Sequence, residues 1–298
     1  GHPKPFNLKY IGIGNEDMIT EVFEERFAMI YKAVREKHPE ITVVGTVGPF
    51  YEGTDYAEGW RLATELGVPM VDEHYYVDPG WMIHNQDYYD RYDRTKSKVY
   101  LGEYAAHLPG RPNNIETALA EALYLTSVER NADVVRLATY APLFAHVDAW
   151  QWNPDLIWFD NLRMMRTPNY YVQQMYGMNA GTDVLNLQMD GKPVTGQDSL
   201  YASAVLDAPT GEVILKLVNA GSRSEKVQIE FSGLKKRQLV SGSCTYLQSD
   251  DWKAKNTLEQ EAIVPRIRPV EVASRSLSLE LQPRSFGVYR LRISTQSK

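Results

Sequence analysis

The chain has 298 residues, of which 43% are hydrophobic and 23% are charged, so it has the material for one large or two ordinary globular domains. Its formal net charge is −6 and its longest run of Lys and Arg has three residues (235–237), which argues against a nucleic-acid partner. Its single cysteine, Cys244, excludes an intramolecular disulfide and a paired-cysteine zinc site. Because no apolar run approaches the roughly 20 residues of a membrane-spanning helix, we expect no membrane partner.

The first part of the chain, from residue 8 to about 178, alternates short apolar runs with longer stretches of helical period. Five β-rich runs are predicted strands: residues 9–14, 41–47, 68–76, 98–104 and 133–142. Between the first two runs, Phe23, Phe27, Ile30 and Val34 recur at helical spacing and predict one buried stripe. This alternation of strand and helix is typical of βα units around a parallel sheet.

After about residue 182 the apolar period changes to two. Alternating residues include Val213, Leu215 and Leu217, and again Leu277, Leu279 and Leu281. Such alternation, interrupted by turn residues, predicts an antiparallel β-sandwich with one face of each sheet buried. We therefore expect two domains, an α/β domain over residues 1–180 and an all-β sandwich over residues 181–298.

Two glutamates follow predicted strands that lie far apart in the sequence. Glu16 comes directly after the first strand, and Glu103 lies near the end of the fourth. In a parallel barrel the carboxyl ends of all strands open onto one face, so distant carboxylates can meet there. A pair of carboxylates, one protonated and one ionised, is what hydrolysis of a glycosidic bond requires. Most glutamates are instead solvated surface residues, and that reading stays open at this point.

His74 and Tyr76 are two residues apart on the third predicted strand, so their side chains point the same way. A lone strand histidine is more often structural than catalytic.

Residues 140–161, which begin at the end of the fifth predicted strand, contain three tryptophans and no single period. We predict that they form a long structured loop with a functional role.

Several motifs, in this order, resemble those of glycoside hydrolase family 51, the α-L-arabinofuranosidases. They are GIGNE (residues 12–16), DEHYY (72–76), LGEYA (101–105), AWQWNPDLIWFDN (149–161), TPNYYVQ (167–173) and NTLEQEAIVP (256–265). The resemblance covers nearly the whole chain and implies the C-terminal portion of such an enzyme, an incomplete (β/α)8 TIM-type barrel followed by the antiparallel sandwich.

The resemblance also implies roles for individual residues. Glu16 would be the acid/base at the end of barrel strand four, and Glu103 the nucleophile on strand seven, in a two-step reaction that retains configuration. No metal or organic cofactor is expected. The sugar is expected to contact five further residues: Asn15 through its 2-hydroxyl, and His74, Tyr76, Trp150 and Asp155 around the pocket.

If GIGNE is strand four, only five of eight barrel strands are present. The resemblance then implies a truncated chain, inactive or weakly active by itself, whose native N-terminus and cellular location the sequence does not give. An open five-stranded sheet exposes two strand edges and an apolar inner face, so we expect self-association or filling by rearranged segments. The expected partner is an arabinose-containing oligosaccharide or polysaccharide.

Two other functions remain open at this stage. Related barrel glycosidases that act on xylosides share paired glutamates, so the substrate could be a xyloside. A carbohydrate-binding protein that has lost its chemistry would keep the same pocket, and binding without turnover would distinguish it.

Overall fold

The structure, a computed structural model, describes residues 1–295. It divides into two compact units that are interleaved along the chain. The first unit comprises residues 1–76, 88–105 and 131–141, and the second comprises residues 77–87, 106–130 and the chain from 142 onward. The single domain boundary expected at residue 180 stays a prediction.

The first sheet is formed by five strands in sequence order, which are β1 (Tyr10–Ile13), β2 (Thr42–Thr46), β3 (Met70–Val77), β4 (Lys98–Ala106) and β5 (Val135–Ala138). The pairs β1–β2, β2–β3 and β4–β5 are parallel. Within residues 1–295 this sheet is open and no closed barrel is formed. The prediction of an incomplete α/β barrel is confirmed, although the fifth strand is shorter than expected.

Helices α1 (Glu21–Lys37) and α2 (Thr54–Leu66) connect the first three strands. Thr20 caps α1, because its side-chain oxygen accepts a hydrogen bond from the backbone N–H of Phe23. Only part of the predicted stripe is buried. Phe27 is 4% exposed, whereas Ile30 is 43% exposed. The apolar period therefore identified the helix correctly but overstated how much of its face is covered.

The second unit begins with the helices α3 (Pro79–His84), α4 (Ile115–Arg130) and α5 (Pro168–Gly177). Between α4 and α5 lies a small sheet of β6 (Phe144–His146), β7 (Ile157–Phe159) and β8 (Met164–Arg166). The segment that was expected to be one long loop thus contains two short paired strands, β6 and β7.

The rest of the second unit is antiparallel β-structure. Its strands are β9 (Asp183–Val184), β10 (Gln188–Met189), β11 (Lys192–Pro193), β12 (Leu200–Asp207), β13 (Glu212–Asn219), β14 (Glu225–Glu230), β15 (Arg237–Gln248), β16 (Arg266–Val270), β17 (Ser276–Leu281) and β18 (Ser285–Thr295). Six of them form one sheet in the order β16-β15-β18-β13-β12-β9, and β14 pairs with β17. Leu215, Leu217 and Leu277 lie in one buried core between the sheets, which confirms the predicted sandwich.

Helix α4 is buried along nearly its whole length and packs on β12, β13 and β18. Lys216 of β13 is fully buried and donates to the Glu129 carboxylate and to the Asn179 carbonyl oxygen, 2.7 Å away. A charged amine is tolerated there because it is paired and hydrogen-bonded. No helix within residues 1–295 combines the length and apolar character needed to cross a bilayer.

Glu121 of α4 is a fully buried ionisable group. Its carboxylate accepts hydrogen bonds from the Ala106 backbone N–H at 3.1 Å and the Asn169 side-chain amide at 2.8 Å. Burial raises the pKa of Glu121 from 4.5 to about 8, against the lowering effect of these hydrogen bonds. The folded state therefore favours a protonated Glu121 at neutral pH.

We expect Glu121→Gln to flatten the pH dependence of stability. An acid whose pKa is higher in the folded than in the unfolded state contributes stability at low pH that is lost as pH rises from 4.5 to about 8. Thermal melts at pH 5 and pH 8 should show a smaller difference for the variant than for the parent. Glu116→Gln, on the same helix, is the control, and an equal difference in all three proteins would contradict the prediction.

Candidate active site

Glu16 is presented by a tight turn that follows β1. Gly14 has a φ of 86° and Glu16 has a φ of 54°. This left-handed backbone conformation is rare in residues other than glycine. The backbone N–H of Asn15 donates to the Asp17 carboxylate at 2.8 Å and closes the turn. Such backbone strain in a residue with an ionisable side chain is typical of functional sites.

The side chains of β3 alternate between two different environments. Asp72, His74 and Tyr76 point to the face that carries Glu16 and Glu103, because residues two apart share one side of a strand. His74 has only 3% of its side chain exposed, while Glu16 and Glu103 keep 35% and 30%. The two carboxylates are accordingly open to a ligand, and the imidazole beneath them is not.

Glu73 points to the opposite face of β3 and is enclosed by aromatic residues. Its carboxylate accepts hydrogen bonds from the hydroxyls of Tyr92 at 2.7 Å and Tyr89 at 3.0 Å, from Trp60 Nε1 at 3.1 Å and from the Tyr56 hydroxyl at 3.3 Å. Burial raises the pKa of Glu73 to about 7, against these four hydrogen bonds. This network fixes β3 on the face opposite to His74.

Glu16 and Glu103 are brought together around His74. His74 Nδ1 lies 3.1 Å from a Glu16 carboxylate oxygen and 3.8 Å from a Glu103 carboxylate oxygen. One ring nitrogen of His74 and one carboxylate oxygen from each of Glu16 and Glu103 lie within 4.8 Å of one another. The Tyr76 hydroxyl donates to Glu103 at 2.6 Å. The strand ends thus place four of the predicted site residues in one cluster.

His74 is held as a cation among these carboxylates. Its other ring nitrogen, Nε2, lies 3.2 Å from a carboxylate oxygen of Asp72. Burial lowers the pKa of His74, but the hydrogen bond and charge of Asp72, the hydrogen bond to Glu16 and the charge of Glu103 outweigh it and raise the pKa from 6.5 to about 8. At neutral pH the imidazolium therefore offsets part of the acidic charge.

The same cluster is the group of described residues in which three donor atoms are close enough to hold one cation. Its composition is one imidazole and two carboxylates, a set that several divalent ions accept. The atoms of His74 and Glu16 that face each other are already joined by a hydrogen bond. We therefore assign no metal to the cluster, and the expected absence of a metal stays a prediction.

Asn15 is exposed beside Glu16, so its side-chain amide is available to a ligand. Trp150 belongs to the second unit and is 51% exposed. Its ring makes an edge contact with Trp158 at 6.0 Å between centroids, and both line a cavity of about 370 Å³. The predicted sugar contacts of Asn15 and Trp150 stay predictions.

Asp155 also lies in the second unit and is 2% exposed. Its backbone N–H donates to the Asn113 side-chain oxygen at 3.2 Å, while its Oδ2 atom has no hydrogen-bond partner among the described residues. Burial raises the pKa of Asp155 from 3.8 to about 6. The predicted role of Asp155 as a sugar contact is not tested by these observations.

Asp72 is the residue of this cluster that the sequence analysis missed. The signal was present in the DEHYY motif, where Asp72, His74 and Tyr76 stand at positions i, i+2 and i+4 and so share one face of the strand. An aspartate two residues before a strand histidine is in position to accept from the imidazole, and that spacing would have identified it.

Comparison with known protein families gives two matches. Residues 85–285 match the α-L-arabinofuranosidase C-terminal domain, and residues 1–94 match the α-L-arabinofuranosidase 1 domain. The first match alone covers more than half of the chain.

Individual proteins give the same result. An extracellular exo-α-L-arabinofuranosidase of Streptomyces chartreusis is 38% identical over 87% of this chain and 32% of its own length. α-L-Arabinofuranosidase 1 of Arabidopsis thaliana is 31% identical over 98% of this chain and 42% of its own length. The chain thus spans less than half of the curated relatives it matches.

Among solved structures, an arabinose-bound GH51 α-L-arabinofuranosidase superposes with a TM-score of 0.83 and 26% identity. The superposition covers 99% of this chain and 47% of that one. Domain matches, relatives and fold agree, and the chain belongs to the α-L-arabinofuranosidases of glycoside hydrolase family 51, in their C-terminal portion.

Proposed function

We propose that this chain carries the catalytic pair of a retaining α-L-arabinofuranosidase. The observation that supports it best is the Glu16–His74–Glu103 cluster, whose donor atoms lie within 4.8 Å of one another. A short separation between two carboxyl groups is typical of retaining glycosidases, whereas inverting enzymes leave room for a water molecule, with separations of roughly 6.5–9.5 Å. The proposed substrates are terminal α-L-arabinofuranosyl residues of arabinan or arabinoxylan type.

In the first step Glu103 attacks the anomeric carbon while protonated Glu16 donates its proton to the departing oxygen. The Tyr76 hydroxyl, 2.6 Å from Glu103, fixes the orientation of the attacking carboxylate. In the second step Glu16 takes a proton from water, and the resulting hydroxide releases arabinose from Glu103 with its configuration retained. Asn15, exposed next to Glu16, is the proposed partner of the sugar 2-hydroxyl.

We propose further that the 298-residue chain by itself hydrolyses weakly or not at all. Its first sheet has five strands and is open, whereas a TIM-type barrel closes with eight. Sugar contacts that an eight-stranded barrel takes from its other strands are then missing. Activity is therefore best measured on this chain beside a version extended at its N-terminus by the missing strands.

Replacing either glutamate in the extended version should abolish most hydrolysis of an aryl α-L-arabinofuranoside. We expect Glu103→Gln to lower kcat/KM by at least about a thousandfold and Glu16→Gln by roughly a hundred- to ten-thousandfold, because the first removes the nucleophile and the second the acid. Glu65→Gln, an exposed residue of α2, is the control. Unchanged activity in either variant would exclude that assignment.

A panel of aryl furanosides and pyranosides separates the remaining functions. Turnover of the arabinofuranoside alone supports the proposal, and turnover of a xyloside supports a related glycosidase. Binding of arabinose-containing oligosaccharide without turnover, in the extended version as well, would support a carbohydrate-binding protein instead.

Tyr76→Phe should lower kcat/KM by roughly ten- to a hundredfold, the loss expected for one hydrogen bond to a charged group. Tyr75→Phe is a matched control, because the Tyr75 hydroxyl contacts Tyr89 at 2.8 Å, on the Glu73 side of β3. Steady-state kinetics of both variants test the assignment. Equal losses in the two would mean that β3 is merely sensitive to any lost hydroxyl.

We also propose self-association through the first sheet. Its outer strands in the described order are β1 and β5, and they expose Tyr10 to 45% and Leu137 to 38%. Leu137→Lys should lower the molar mass measured by light scattering, since an edge lysine opposes strand pairing. Ile267→Lys, at an exposed apolar residue of β16, is the control. A monomeric parent would rule out the proposal.

A further inference from the structure

Asp72 lies within contact distance of His74 Nε2, at a place where the neighbouring strand leaves room for its carboxylate. Its Oδ2 atom lies 3.2 Å from Nε2, and its side chain is 17% exposed. The neighbouring strand β4 carries Gly102 at the facing position, where a Cβ atom would collide with Asp72 Oδ1. Any larger residue at 102 would displace the carboxylate that His74 contacts.

The position of Asp72 determines which proton of His74 is free to move. A carboxylate beside Nε2 accepts a hydrogen bond from Nε2–H and so stabilises every form of the ring that keeps a proton on Nε2. The mobile proton is then the one on Nδ1, which faces Glu16 at 3.1 Å and Glu103 at 3.8 Å. His74 and Glu16 can accordingly share one proton, because Asp72 stabilises both the imidazolium and the neutral Nε2–H tautomer.

We propose that Asp72 is a positioning residue that fixes the Nε2 proton of His74 and so makes the Nδ1 proton available to Glu16. This inference rests on the proposed function. The Nδ1–H bond breaks as an O–H bond forms on Glu16, and Glu16 passes that proton to the leaving oxygen. In the second step the proton that Glu16 takes from water restores Nδ1–H, so the cycle leaves no net change.

The charged and titratable groups around His74 come from three parts of the first unit. They are Asp72 and Tyr76 on β3, Glu103 on β4, and Glu16 after β1. Three of the four are carboxylates, and His74 is the cation that faces them. Removing the negative charge of Asp72 therefore stabilises the protonated cluster less, and the shared proton dissociates at a lower pH.

The first test measures His74 directly in the 298-residue chain, with or without hydrolytic activity. Nitrogen-15 NMR of the imidazole, assigned by its loss in His74→Gln, should show titration near pH 8 in the parent. Asp72→Asn should lower that midpoint by about one pH unit or more, while Asp72→Glu, which keeps the charge, should lower it by less. Asp133→Asn, which removes an exposed charge of the same unit, should leave it unchanged. An unchanged midpoint in Asp72→Asn would overturn the inference.

The second test uses the active form and two leaving groups. Acid catalysis matters most when the leaving oxygen is basic, so Asp72→Asn should lower kcat more for an alkyl arabinofuranoside than for a 4-nitrophenyl one, by about tenfold. The alkaline limb of its pH profile should move to lower pH, with KM changed less than about threefold. Equal losses on both substrates would assign Asp72 a structural role only and overturn the inference.

The two tests separate the inference from the function on which it rests. If no version of the chain hydrolyses arabinofuranosides, the proposed function fails while the NMR result still decides whether Asp72 governs His74. If the parent is active and His74 titrates alike in parent and Asp72→Asn, the function stands and the inference fails. A variant that loses its fold is recognised by its far-UV spectrum, and Asp72→Glu then carries the comparison.

Discussion

Everything in the cluster depends on keeping two carboxylates close together without a large repulsion. Two negative charges within 5 Å of each other repel strongly where the surroundings are partly dry. His74 relieves that repulsion because it is positively charged, buried and in contact with Glu16. Tyr76 adds a hydrogen bond to Glu103. A neutral side chain in place of His74 would leave the same two strand ends with a strong tendency to move apart.

Strand β3 contributes functionally placed or anchoring side chains to both faces of the first sheet. One face carries the proposed catalytic cluster, and the other carries Glu73, which receives four hydrogen bonds from aromatic residues. Because the two faces share one backbone, a shift of Glu73 would be transmitted to His74, its neighbour in the chain. The rigid aromatic network therefore limits how far the imidazole can drift from Glu16, which a reaction sensitive to sub-ångström distances requires.

The sequence predicted the elements whose signals are local. Glu16 and Glu103 could be chosen as candidates because each stands at the end of a β-rich run, and the sandwich was identifiable from its period of two. Features that depend on neighbours in space, such as burial and side-chain contacts, could not be predicted from these local signals. Ile30 belongs to an apolar stripe, yet the period cannot tell what covers it, and the residue is exposed. Asp72 resembled any other acidic residue until its distance to His74 was known. Residue composition gave no signal for the interleaving of the two units.

That interleaving has a consequence for how the chain can be rearranged. It passes from one compact unit to the other five times, at residues 76/77, 87/88, 105/106, 130/131 and 141/142. No single cut in the chain therefore yields two pieces that each contain a whole unit. For gene fusion or exchange between relatives, a breakpoint anywhere within the chain therefore interrupts at least one unit, and a breakpoint that keeps the first unit whole also keeps α4 on the same piece.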